Sequence, residues 1–201
     1  MSHRATTVLD LIRHGEPRGG PKFRGSQDDP LSELGWQQMR SAISPDDRWD
    51  AIVTSPLLRC IEFATELAEQ RNLPLHVEDR LREVNFGKWE GKTTDEVIAA
   101  EGNRLSRFWE DPVANTPPGG ESIVDFHRRV SAGWQHWREQ LAGQRVLVVC
   151  HGGVIRMILA EVMGVPLQRS FAGIAVPYAC RSRIQVDVSS YGTLSCLYRH
   201  G

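Results

Sequence analysis

No stretch of this chain is apolar for long enough to cross a membrane. The opening residues, MSHRATTVLD, lack the apolar core of a secretory leader, so a cytoplasmic protein is expected. Charge of either sign is not in excess. Lys and Arg number 24, Asp and Glu 25, and the net charge is −1. That balance argues against nucleic-acid or membrane binding through bulk charge. Cysteine is sparse, and Cys60, Cys150, Cys180 and Cys196 form no CxxC pair. Zinc and redox-motif readings are therefore weak, and reduced, mostly buried thiols are expected. Internal repeats and low-complexity tracts are absent. Nothing in the pattern speaks to oligomeric state.

What is present is a succession of short apolar runs. Thr7–Ile12, Trp49–Ser55 and Arg145–Cys150 are rich in valine and isoleucine and nearly continuous. Such runs suit parallel strands covered on both faces. Leu73–Asp79 is a fourth candidate. Helical patterns alternate with them. One starts near Ser32, one is predicted to be capped by Ser55 with Pro56 at its first position, one runs from Glu121 to Gly143, and one ends at Gly164. Arg183–Tyr198 reads as a hairpin turning at Ser190–Gly192, placed at the sheet edge. The order implies an α/β fold, a three-layer sandwich with a mostly parallel central sheet and helices on both faces. At 201 residues one domain spanning 1–201 is expected, with a helical insertion at about 87–120 closed by the loop NTPPGGES.

The strand ends carry the chemistry. The first run exits into Arg13–His14–Gly15, and the third exits into His151–Gly152–Gly153. The second exits at Ser55, and the helix after it carries Arg59 in its first turn. Ligands in open α/β sheets bind at the carboxyl ends of the strands. Two arginines and two histidines at one edge, with no matching acid cluster, describe a pocket for a dianion. The glycines after both histidines leave room for a ligand to approach the backbone, and the N-terminus of the helix after Ser55 would add unpaired amides. A neutral histidine can attack phosphorus, and neighbouring arginines keep it neutral. A leaving alkoxide needs a proton, and RLREVNFGKWEGKT offers Glu83 and Glu90, which spacing alone does not separate.

Other polar residues have plainer readings. Glu121 and Ser122 suit a helix cap. His3, His76, His127, His136 and His200 sit in polar or helix-face contexts and read as solvated, while Trp109, Trp134 and Trp137 read as core. A metal site of His14, His151 and Cys150 is disfavoured, because Cys150 and His151 are neighbours that should point to opposite sides of a strand.

Five segments, LIRHGEP (11–17), SPLLRC (55–60), LREVNFGKWEG (81–91), PGGES (118–122) and VCHGGVIR (149–156), occur in an order that resembles the histidine phosphatase superfamily, also called phosphoglycerate mutase-like. The resemblance covers nearly the whole chain. Within it, FRGSQDDPLSELGWQQM (23–39) and the compact length look most like the α-ribazole phosphatases of cobalamin synthesis, with fructose-2,6-bisphosphatase-like enzymes next. The resemblance implies a phosphomonoesterase that needs no metal or organic cofactor and acts on a small phosphorylated metabolite. His14 matches the phosphorylated histidine, and Arg13 and Arg59 match the phosphate-binding arginines. His151 matches the second pocket histidine and Glu83 the general acid. Arg24, Gly25 and Ser26 match the loop that closes over substrate. Two features depart from the pattern. Pro17 replaces the usual small or hydroxyl residue, and the chain lacks the longer insertion of the cofactor-dependent mutases. A phosphomutase and a non-catalytic binder of phosphorylated ligands are the alternatives, and intact His14, both arginines and Glu83 argue against the binder.

Overall fold

The computed structural model describes residues 6–190 and 192–201; His3 lies outside them. In chain order the elements are β1 (Thr6–Arg13), α1 (Glu33–Ser41), β2 (Ala51–Thr54), α2 (Leu58–Arg71), β3 (Leu75–Val77), α3 (Thr94–Glu101), α4 (Arg104–Glu110), α5 (Ile123–Gln140), β4 (Arg145–Cys150), α6 (Gly152–Met163), α7 (Ser170–Gly173), β5 (Arg181–Ser189) and β6 (Gly192–His200). The sheet order is β3-β2-β4-β1-β5-β6. The first four of these are mutually parallel, β5 runs antiparallel to β1, and β6 runs antiparallel to β5. The expected α/β architecture with a mostly parallel sheet is what forms. No helix among the described residues is long and apolar enough to span a bilayer.

The continuous apolar strands are explained by burial on both faces. In β4, Val146, Val148 and Cys150 pack with Phe126 and Val130 of α5 and Ile155 and Ile158 of α6. The alternating Leu147 and Val149 pack instead with Met39 of α1 and Phe63 and Leu67 of α2. A strand with a partner layer on each side has no polar face, hence the lost alternation. The predicted helical insertion contains a short 3-10 turn at Gly87–Trp89 followed by α3 and α4. Its Val97, Leu105 and Phe108 join the α5–α6 side of the core. The hairpin folds as read, with β5 between β1 and the edge strand β6.

One helix start differs from the sequence reading. Ser55 and Pro56 do not open α2, which begins at Leu58 with Leu57 at the cap and no side-chain cap of its own. The Ser55 hydroxyl is drawn elsewhere, 2.7 Å from Nε2 of His151. The Leu58 amide donates to the Asp28 carboxylate at 2.6 Å. A distant acid therefore caps the helix, and its first amide is not offered to the edge where the histidines lie. The cap at Ser32 does form, accepting from the Gly35 amide at 3.0 Å.

Candidate active site

The three strand exits converge because β2, β4 and β1 are neighbours. In the register Arg13 faces Cys150 and Thr54 faces Val149. His14 and His151 therefore follow adjacent strand ends, and their rings meet edge to face with centroids 5.2 Å apart. His14 is tied in by its backbone, donating to Cys150 O at 3.0 Å and accepting from the Ala179 amide. Its Nδ1 lies 2.7 Å from the carbonyl of Gly15. A carbonyl only accepts, so Nδ1 carries the proton and Nε2 keeps its lone pair. Burial, then Arg59 and Arg13, hold the His14 pKa well below the ordinary imidazole value. His151 is neutral for the same reasons, burial first, then Arg59 and His14. Cys150 packs on one side of β4 while His151 approaches Cys60 on the other. The alternation that disfavours a shared metal site is thus present.

Arg13 lines the cavity with His14, whereas Arg59 and His151 are fully buried and do not line it, and the donors of the two arginines are differently spent. Arg13 donates Nη1 to Val176 O at 2.6 Å, and its guanidinium lies 4.1 Å over the Tyr178 ring. Arg59 is fully buried and donates to Gln27 O, Gly25 O and Arg24 O at 2.7, 2.8 and 3.3 Å. In each residue the buried Nε has no acceptor among the described residues.

The loop at 24–26 is held by its own contacts. Arg24 borders the cavity, yet its guanidinium is taken up by Asp29 and by the carbonyls of Gly20 and Arg18 at 2.5–2.6 Å. It braces the loop. Gly25 packs against the backbone of Val84 and the Glu90 carboxylate, where any side chain would collide. Ser26 donates its amide to Glu90 at 2.8 Å and does not line the cavity. The glycine after His14 also has a different use. A side chain on Gly15 would strike the Gly35 backbone, so its bareness lets α1 approach the strand exit.

Glu83 and Glu90 separate cleanly. Glu90 accepts from Ser26, Gln27 and Phe86 amides at 2.8–3.1 Å and staples two loops together. Glu83 borders the cavity with His14. Its Oε1 accepts from the Val84 amide and its Oε2 from the Gly153 amide, both at 3.0 Å. The main chain around it is held by Arg129, which donates to the carbonyls of Arg80, Arg82 and Glu83 and pairs with Glu121. Glu121 and Ser122 stay outside the cavity, Ser122 capping α5. A methyl on Gly153 would overlap the Glu83 carboxylate. Gly153→Ala should therefore displace that carboxylate and press lightly on the Phe126 ring, 3.2 Å from the added methyl. We expect kcat/KM to fall by about 10²-fold, as a 1 Å misplacement can cost, with a smaller stability loss of about 1 kcal/mol from the strained bonds of Glu83 to the Val84 and Gly153 amides. A melting loss as large as the kinetic one would refute it.

Beyond His14 the cavity holds about 230 Å³. Phe23, Phe86, Trp109, Phe171 and Tyr178 form an aromatic wall, with Lys22 and Arg156 among them. Trp109, expected in the core, is half-buried; it packs against the core cluster and makes tilted contacts with Phe23 and Phe171 at the wall. Trp134 is core, and Trp137 donates to Glu78 at 2.8 Å. His200, read as solvated, is 2.8 Å from Ser182 Oγ and 2.7 Å from Ala175 O. His76, His127 and His136 lie away from the cavity. Among the residues that sequence reasoning missed, Arg156 had a signal. It stands four residues after Gly152 and so shares that face of α6. Phe171 and Tyr178 sit in a segment with no motif.

Residues 9–195 match the family described as "Histidine phosphatase superfamily (branch 1)". Phosphoserine phosphatase 1 of Hydrogenobacter thermophilus is 33% identical over 165 residues, covering 80% of this chain and 78% of that protein. Glucosyl-3-phosphoglycerate phosphatase of Mycolicibacterium vanbaalenii is 34% identical over 172 residues, covering 79% and 75%. The solved α-ribazole phosphatase of Shigella flexneri superposes with a TM-score of 0.77 at 26% identity, over 94% of this chain and 95% of that one.

Proposed function

This chain belongs to the histidine phosphatase superfamily, branch 1, and from that premise we propose that it hydrolyses small phosphomonoesters through a phosphohistidine on Nε2 of His14. It is a hydrolase of phosphoric monoesters, as its named relatives are phosphatases. One observation carries the mechanism. Two buried guanidinium nitrogens, Arg13 Nε and Arg59 Nε, lack acceptors beside a neutral histidine with a free lone pair. Buried donors without acceptors are rare, and a phosphoryl group would satisfy both.

In the first half-reaction Nε2 of His14 attacks phosphorus. The bond from phosphorus to the ester oxygen breaks, and Glu83 in its acid form gives that oxygen a proton. In the second, water attacks the phosphorus of phosphohistidine. Glu83 takes the water's proton, the P–N bond breaks, and inorganic phosphate leaves. Arg13, Arg59 and His151 hold the equatorial oxygens throughout. The fixed cations supply the charge stabilisation, so no metal or organic cofactor is required. Rapid quenching after mixing with p-nitrophenyl phosphate should reveal acid-labile, base-stable phosphate on His14 by mass. Phosphate on a serine or aspartate would overturn the scheme.

The leaving group has two readings. The aromatic wall favours α-ribazole 5′-phosphate, whose base is flat. Relatives named for phosphoserine and glucosyl-3-phosphoglycerate favour a small phosphorylated acid. The ratio of kcat/KM for α-ribazole 5′-phosphate and O-phosphoserine separates them.

A further inference from the structure

Arg156 has no assigned role in the phosphoryl chemistry, yet it is half-buried and borders the cavity. Its Nε donates to Ile174 O at 2.9 Å, and its guanidinium lies 5.5 Å over the Phe171 ring. These two contacts fix its plane. Nη1 and Nη2 have no acceptor, and no carboxylate pairs with Arg156 among the described residues. Glu83, the nearest acid in the cavity, spends its oxygens on backbone amides instead.

Its position relative to Arg13 is informative. A methyl on Gly152 would stand 3.1 Å from Arg156 Nη1 and 3.3 Å from Arg13 Nε. Both nitrogens therefore flank one point at the start of α6. Two guanidinium ions so close repel each other, and burial sharpens the cost. Anions on both would relieve it. The phosphoryl group accounts for Arg13. An anion on Arg156 must then lie only a few bonds from the phosphorus. A planar fork whose Nη1–Nη2 edge is free matches one carboxylate in bidentate fashion. Lys22, exposed at the rim, adds charge of the same sign for approach.

We infer that Arg156 is a specificity-determining residue that binds the carboxylate of the substrate, which makes the preferred substrates O-phosphorylated hydroxy acids with the carboxylate on the ester carbon or the next one. This rests on the phosphatase reading for its phosphate site but not on the covalent step. α-Ribazole 5′-phosphate has no carboxylate to offer it.

The test uses non-hydrolysable ligands. Calorimetry should show 3-phosphonopropionate binding the native protein at least about tenfold more tightly than propylphosphonate, which differs in the carboxylate. In Arg156→Gln the two should bind within about twofold of each other, and Arg156→Lys should recover part of the difference. Equal affinities in the native protein, or an undiminished difference in Arg156→Gln, would overturn the inference. So would tighter binding of ethane-1,2-diphosphonate than of 3-phosphonopropionate, since a second phosphate would then be the preferred anion. Turnover of p-nitrophenyl phosphate is measured in parallel. Its absence alongside the affinity pattern would remove the hydrolytic mechanism and leave the role of Arg156 standing.

Discussion

His14→Ala is expected to keep its fold and lose roughly 10⁵–10⁶ in kcat/KM, the scale seen when a covalent nucleophile is removed. Nothing else in the cavity can replace it. His151 is turned to Ser55, and Glu83 is tied to two amides. Fold retention follows from how the residue is anchored. The bonds from His14 N to Cys150 O and from Ala179 N to His14 O belong to the main chain and survive the substitution. The lost imidazole is itself a desolvated polar group beside two cations, so its removal costs little packing energy. Phosphate should still bind, because Arg13 and Arg59 remain. The measurements are steady-state turnover of p-nitrophenyl phosphate and a thermal melt. Residual activity within tenfold of native would show that the nucleophile lies elsewhere.

Glu83→Gln should reduce turnover of alkyl phosphates by roughly 10²–10⁴, the range of general acid–base catalysis. The loss on p-nitrophenyl phosphate should be smaller, because p-nitrophenolate departs with little need of a proton. The amide also keeps only one acceptor oxygen. Either the Val84 or the Gly153 amide then faces an NH₂ group, at a cost of about 1 kcal/mol or more in stability. Glu90→Gln supplies the contrast. Glu90 holds Ser26, Gln27 and Phe86 together. Its loss should weaken the loop and lower the melting temperature, with equal effects on good and poor leaving groups. The ratio of the two rate losses, alkyl over aryl, is therefore the readout. A leaving-group dependence in Glu90→Gln and none in Glu83→Gln would exchange their roles.

The parts of the site that were legible in the sequence are those written in contiguous residues. The runs ending at Arg13 and Cys150 announce buried parallel strands, and His14 and His151 follow by one residue each. What escaped depends on partners far along the chain. Ser55–Pro56 has the local form of a helix start. The cap actually used comes from Asp28, thirty residues earlier, and Ser55 serves His151 instead. Arg24 borders the cavity, and its bonds to Asp29 and two carbonyls, which brace the loop, depend on residues no local motif links to it. Glu83 and Glu90 share one short stretch and differ only in which loops fold over them. The aromatic wall draws on Phe23, Phe86, Trp109, Phe171 and Tyr178, which no single period or spacing links.

The pair of buried neutral histidines ties the protein's acid tolerance to its chemistry. In the unfolded chain each imidazole takes up a proton as pH falls through about 6.5. In the folded protein burial, Arg59 and Arg13 keep both from protonating until the pH is far lower. Below about 6.5 the unfolded chain thus binds more protons than the native one. Stability then declines with falling pH, by about 1.4 kcal/mol per pH unit for each histidine. An anion seated between the arginines offsets their field and raises the imidazole pKa values toward normal, which shrinks that penalty. The occupied protein should therefore be the more acid-resistant form, its gain on binding growing as the solution becomes more acidic.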